Sequence, residues 1–151
     1  MKRTIRLLAH NVRSLWNVGS FFRTCDAFAV EAIYLTGYTA HPPRIEITKT
    51  AIGAEEFVPW EHHADPFPVL QDLKRQGWQI VALELAPHAK AITDFLPAEK
   101  VCLVLGHELS GVPEEILSLC DATVFIPMLG KKESLNVAVA AGIALHALRK
   151  R

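Results

Sequence analysis

Long apolar runs are missing from this sequence. No stretch approaches the roughly 20 residues that a membrane-crossing helix requires, so no membrane span is expected. The start, Met1-Lys2-Arg3-Thr4-Ile5-Arg6, is basic, but the apolar Leu7-Leu8-Ala9 is broken at once by His10, Asn11 and Arg13. That is too short for a secretory signal and points to a cytoplasmic protein. Cysteine is scarce as well. Cys25, Cys102 and Cys120 are odd in number and scattered. They offer neither a disulfide framework nor metal-ligand spacing, and read as reduced, buried cysteines. Internal repeats, low-complexity segments and linkers are also absent, which leaves a single domain over residues 1–151 as the expectation.

A net charge is lacking too: 16 Lys and Arg balance 16 Asp and Glu. The protein as a whole therefore exerts no pull on a polyanion. The distribution along the chain is uneven. Residues 1–50 carry seven basic and three acidic side chains (+4), residues 51–130 four and twelve (−8), and residues 131–151 five and one (+4). If the fold joins the two ends, they form one positive face, which suits a nucleic acid; otherwise they simply solvate the termini.

What is present is an ordinary globular composition, half hydrophobic and a fifth charged, sufficient for a sizeable core. Strand-like apolar runs fall at Thr4–His10, Glu31–Thr36, Trp78–Leu85, Lys100–Leu105 and Ala122–Ile126. Helical patterns lie between them, which predicts an α/β fold with a mainly parallel sheet and helices outside it. In the first helix Val18, Phe21, Phe22, Cys25, Phe28 and Ala29 share one face, and Arg23 points away from it. A second helix is expected near Pro66–Gln76, with Val69, Leu70 and Leu73 inward. A short one begins at Pro113, with Glu114 and Glu115 in its first turn. Thr39–Thr50 reads as a mobile loop over a binding site or at its rim. The last helix, capped by Ser134, has no polar side chain from Val137 to Leu145. It must be covered on all sides, and a second subunit is the expected cover.

Three polar constellations interrupt these elements. The first, Asn17…Gly19…Arg23, follows the first strand, where open α/β sheets bind ligands. Asn17 is suited to cap the helix, and Gly19 allows another backbone to come close. The second, Leu105-Gly106-His107-Glu108…Gly111, follows a buried strand. Gly106 suits a backbone pressed against a ligand, and His107 beside Glu108 has no further ligand at metal spacing. The third is Ile126-Pro127-Met128…Gly130-Lys131-Lys132-Glu133-Ser134-Leu135-Asn136. It lacks the spacing of a phosphate-binding loop, so a nucleotide triphosphatase is rejected.

Taken in this order, the three constellations resemble the three motifs of the TrmH/SpoU branch of the SPOUT RNA methyltransferases, over nearly the whole chain. His107 departs from the Asn or Gln common there. The resemblance implies a C-terminal deep trefoil knot, a homodimer, and S-adenosylmethionine as the cofactor without a metal. By position it implies cofactor contacts at Leu83, Gly106, Ile126, Met128 and Leu135. It implies catalytic or positioning roles for Arg23, Asn17, Glu108, Ser134 and Asn136, with Glu108 orienting Arg23 or a substrate hydroxyl.

The implied reaction is methyl transfer to a ribose 2′-hydroxyl of RNA, without a separate RNA-binding domain and with tRNA favoured over rRNA. A guanidinium is a very poor base, so Arg23 is expected to anchor a phosphate beside the reacting hydroxyl. The rivals are an rRNA-modifying enzyme, a non-catalytic RNA-binding or cofactor-sensing dimer of the same fold, and a flavodoxin-like nucleotide-binding domain. The last leaves Ser134-Leu135-Asn136 before an all-apolar helix unexplained.

Overall fold

The computed structural model describes residues 2–150. Met1 and Arg151, which the expectations for the leader, the domain limits and the basic ends include, lie outside the described residues. Seven strands form one sheet: β1 (Thr4–His10), β2 (Ala32–Thr36), β3 (Trp60–His63), β4 (Gln79–Leu83), β5 (Lys90–Ala91), β6 (Lys100–Leu105) and β7 (Ala122–Phe125). Their order is β3-β2-β1-β6-β4-β7-β5, and every pairing is parallel. The helices are α1 (Leu15–Ala27), α2 (Ile45–Ala51), α3 (Pro66–Arg75), α4 (Glu114–Leu117) and α5 (Val137–Lys150).

Alternation along the central strands produces two cores. Ile5, Leu7 and Ala9 of β1 pack with Phe21, Phe22 and Cys25 of α1 and with Ala141, Ala144 and Leu145 of α5. Leu8 points to the opposite face, among Leu70 and Leu73 of α3 and Ile116 of α4. Helices thus cover both faces, as a sheet buried on both sides requires. Burial pushes the Cys102 and Cys120 thiols up to about 12, and Cys25 higher still, which leaves all three as unreactive thiols.

Two elements and two helix caps differ from the sequence expectation for identifiable reasons. The segment read as a mobile loop, Thr39–Thr50, contains most of α2. Its Ile and Thr residues are weak helix formers, and no side chain caps it at Arg44. Tertiary packing supplies what propensity lacks. Ile47 and Ala51 are buried, and Gly19 lets α2 lie directly on α1. A Cβ at Gly19 would sit 2.4 Å from the Ile47 carbonyl oxygen and 1.8 Å from Thr50 Oγ1.

Strand β3 escaped notice because Glu61-His62-His63 is polar; its place at the sheet edge tolerates that. Neither expected helix cap holds. Ser14, not Asn17, caps α1, its hydroxyl accepting from the Asn17 N–H. Asn136, not Ser134, caps α5, its Oδ1 accepting from the N–H groups of Ala138 and Val139 at 2.9 and 3.2 Å.

The fold brings the two ends of the chain together. Arg149 donates to the carbonyls of Phe28 and Ala29 at 2.9 and 3.0 Å and to that of Arg3, while Arg3 donates to Leu148 O. Both guanidiniums are thereby committed to backbone carbonyls near the end of α5. The helix itself is incompletely covered. Ala141, Ala144, Leu145 and Leu148 are buried, but Val139 is 51% and Ile143 41% exposed.

Candidate active site

Parallel strands end together, and at the carboxyl end of β4, β6 and β7 three loops enclose a cavity of about 600 Å³. Its floor is apolar: Leu83 closes β4, Leu105 closes β6, Phe125 closes β7 and Ile126 follows it. Leu135 and Val137 enclose it from the start of α5, and Gly106, His107, Glu108, Met128, Lys131, Lys132 and Ser134 complete its wall. All five positions expected at the cofactor, namely Leu83, Gly106, Ile126, Met128 and Leu135, border this one cavity.

The loop after β6 is held from three directions. His107 and Gly111 exchange backbone hydrogen bonds at 3.1 and 2.9 Å, closing the turn on itself. Within the turn, His107 Nδ1 accepts from the N–H groups of Leu109 and Ser110 at 3.0 and 3.1 Å. One imidazole nitrogen thereby satisfies two N–H groups inside the turn. Gly106 is required here by the protein's own backbone. A Cβ at Gly106 would lie 2.3 Å from the Gly111 carbonyl oxygen. The third tie comes from Glu84, directly after β4. Its Oε2 accepts from Val112 N at 2.9 Å. Sequence reasoning passed over Glu84; the available signal was one carboxylate at the end of an otherwise apolar strand.

Glu108 joins this loop to the start of α1. Its Oε1 accepts from Arg13 N at 2.9 Å, and its Oε2 accepts from Ser14 N at 2.8 Å and from Asn17 Nδ2 at 3.2 Å. Partial burial works to raise the Glu108 pKa, but the backbone N–H groups of Arg13 and Ser14 outweigh it and hold the carboxyl below the ordinary carboxylate range. Of the two roles expected for Glu108, orienting Arg23 or a substrate hydroxyl, neither is seen within the described residues, where its carboxylate oxygens are engaged by the N-terminus of α1. Asn17 in turn accepts from Asn136 Nδ2 at 3.4 Å. All three constellations thus meet in one chain of contacts, Asn136 to Asn17 to Glu108. Ser134 is exposed at the cavity wall.

Arg23 is the member that does not join them. It lies six residues beyond Asn17, about 9 Å along the helix and about 240° around it. Its side chain is exposed and makes no hydrogen bond or ion pair with the described residues. It lines neither the large cavity nor a second one of about 480 Å³ beside it.

An α/β domain with a glycine-containing, apolar-floored cavity at the ends of its parallel strands, and with amide side chains gathered at one rim, has the architecture of a small-ligand-binding enzyme domain. Residues 4–146 match the SpoU rRNA Methylase family, and the chain belongs to that family. It is 33% identical over 151 residues to a tRNA (guanosine(18)-2′-O)-methyltransferase from Aquifex aeolicus, covering 99% of this chain and 71% of that protein.

Its fold superposes with a TM-score of 0.93 on the crystal structure of an AdoMet-bound rRNA methyltransferase from Sinorhizobium meliloti, at 28% identity. That match covers 99% of this chain but only 57% of the other. A further solved structure, described as giving structural insights into the 2-OH methylation of C/U34 on tRNA, has a TM-score of 0.84 and 25% identity. There the match covers 97% of this chain and 94% of the other.

Proposed function

We propose that this protein binds S-adenosylmethionine in the large cavity and transfers its methyl group to a ribose 2′-hydroxyl of RNA, with tRNA as the substrate class. The observation that carries the reading is the meeting of three separate loops around one apolar-floored cavity, with Asn17, Glu108 and Asn136 linked at its edge. A volume of about 600 Å³ is within the range of small-molecule sites. Leu83, Leu105, Ile126 and Leu135 offer the apolar surface that suits an adenine ring, with the backbone at Gly106 and Met128 beside it.

When bound, S-adenosylmethionine supplies an already activated methyl group, so the protein's task is positioning. The ribose 2′-oxygen gains the methyl and loses its proton. Arg23 binds the adjoining phosphate and lowers the cost of alkoxide character, while phosphate or water accepts the proton. Glu108 fixes the α1 N-terminus, and with it the Asn17 amide that faces the substrate; Ser134 and Asn136 brace the third loop.

Because Arg23 faces away from the cavity of its own chain, it serves the cavity of a second copy in a homodimer. The exposed Val139 and Ile143 on α5 supply a face for that contact. The C-terminal part is threaded as a trefoil knot. Support comes from the strand order, in which β7 returns to lie between β4 and β5 after β6 has paired between β1 and β4. Residues 1–151 act as one domain in the cytoplasm. Among the described residues, no helix is long and apolar enough to cross a membrane.

The test is incubation of the protein with labelled-methyl cofactor and total cellular RNA, followed by separation by size. Label in the tRNA band is expected. Label confined to rRNA contradicts the tRNA assignment. Cofactor binding without label in any RNA favours the non-catalytic dimer.

A further inference from the structure

The second cavity, of about 480 Å³, shares the His107-Glu108-Leu109 wall with the first. Its remaining lining comes from the start of α1, namely Arg13, Ser14, Leu15, Trp16 and Asn17, and from Glu46 on α2. The common wall makes it the next compartment along from the proposed cofactor site.

Trp16 is 49% exposed although it is a large aromatic residue. Splayed-out RNA bases are commonly held by stacking on such a side chain and by hydrogen bonds to their Watson–Crick edge. Two carboxylates border the compartment. Glu108 is engaged by two backbone N–H groups and the Asn17 amide. Among the described residues the Glu46 carboxylate pairs only with Arg44, at 3.8 Å, too long to fix either group. Glu46 is thus the acceptor with capacity left.

Its position there follows from the packing already described. Gly19 admits α2 onto α1, and Thr50 Oγ1 ties α2 to the Trp16 carbonyl at 2.9 Å. Trp16 and Glu46 are held on two sides of one compartment as a result.

We infer that this compartment receives the base of the target nucleotide and that Glu46 selects guanine. An ionised carboxylate only accepts hydrogen bonds. Guanine presents two adjacent donors on its Watson–Crick edge, N1–H and the N2 amino group, which match the two oxygens of one carboxylate. Uracil offers one donor on that edge; adenine and cytosine offer an amino group beside an acceptor that the carboxylate repels. Trp16 supplies stacking that does not discriminate, and Arg13 neutralises an adjoining phosphate. The inference rests on the methyltransferase reading for what happens to the bound nucleotide.

The test uses the full chain with saturating S-adenosylmethionine and has two parts. In the first, GMP, IMP and AMP are titrated while the Trp16 indole N–H is followed by NMR. GMP is expected to bind about tenfold more tightly than AMP, the scale of one bidentate base contact, with IMP between them. Glu46→Gln removes that advantage by weakening GMP, while AMP, no longer facing a repelling carboxylate, binds at least as tightly as to the wild type. Its cooperative unfolding midpoint is compared with that of the wild type to verify folding. Equal binding of GMP and AMP by the wild type, or a GMP preference that survives in Glu46→Gln, overturns the inference.

The second part measures methyl transfer. Transfer to a guanosine that Glu46→Gln reduces supports the inference. Transfer to another nucleotide, insensitive to Glu46→Gln, overturns it while the methyltransferase reading stands. A GMP preference that needs Glu46, without transfer to any RNA, supports the compartment and overturns the enzyme reading instead.

Discussion

Glu108 Oε2 lies 2.8 Å from the backbone nitrogen of Ser14, so a carboxylate from the loop after β6 holds the first turn of α1 in place. A negative charge at a helix N-terminus is stabilised both by the N–H groups and by the helix dipole. The contact joins two segments 94 residues apart in sequence, and it decides where Asn17 points.

That contact predicts a pH dependence of stability. The folded protein holds the Glu108 carboxyl below its ordinary range, so the contribution is fully present above the unfolded carboxylate pKa. It is lost as pH falls through the lower, folded value. Urea unfolding across the acid range is expected to show a shallower loss of stability in Glu108→Gln than in the wild type. At neutral pH the variant should be less stable by about 1–2 kcal/mol, the scale of lost charge-assisted hydrogen bonds. Parallel acid limbs in the two proteins would show that Glu108 does not carry this linkage.

The role of His107 is to accept two N–H groups through Nδ1. His107→Asn, whose Oδ1 can take the same place, should keep cofactor affinity within about threefold. His107→Ala loses both bonds, and at about 1 kcal/mol for each should bind S-adenosylmethionine at least tenfold more weakly. Calorimetric titration of the two variants checks this; equal affinities would mean the turn is closed by the His107–Gly111 backbone pair alone.

Gly19→Ala places a methyl group against the Ile47 carbonyl. Because a backbone atom blocks it, removal of the Thr50 hydroxyl should not rescue the variant. A loss of about 1–3 kcal/mol in chemical denaturation is expected for Gly19→Ala, and nearly the same for Gly19→Ala with Thr50→Ala. Full recovery in the double variant would mean that the Thr50 side chain was the obstacle.

How much of this was legible beforehand differs from residue to residue. The strands with regular apolar runs, β1 and β6, were read to the residue, because burial on both faces leaves an unbroken hydrophobic signal. The face of α1 was legible for the same reason. Helix α2 was not, since it depends on a partner surface that only the folded chain provides. The cap positions of Ser14 and Asn136 were missed because several polar residues stood near each helix start and only geometry chooses among them. The five positions expected at the cofactor came from resemblance, and the fold brings them to one cavity. Trp16 stood beside the first constellation without an assigned role, Glu46 stood in the segment read as a loop at a binding-site rim, and Glu84 stood in no motif; only the packing of α2 on α1 brought Trp16 and Glu46 to one compartment.

Val139 and Ile143 test the proposed homodimer. Val139→Asp with Ile143→Asp removes exposed apolar surface from α5 without touching its buried face. Analytical ultracentrifugation should find the wild type as a dimer and the double variant as a well-folded monomer. The monomer should lack methyl transfer, because each cavity then lacks the Arg23 of its partner. An active monomer would contradict the arrangement.

The central claim is methyl transfer to the ribose, dependent on an arginine that is unpaired among the described residues. The most direct measurement is mass spectrometry of nucleosides from RNA treated with cofactor and either wild-type protein or Arg23→Ala. The account predicts a 2′-O-methylnucleoside with the wild type and at least a hundredfold less with Arg23→Ala, at about 2.7 kcal/mol or more of lost transition-state stabilisation. Cofactor affinity and unfolding midpoint should be unchanged, since Arg23 is exposed and outside the cavity. A methyl group on a base, or near-normal ribose methylation by Arg23→Ala, would contradict it.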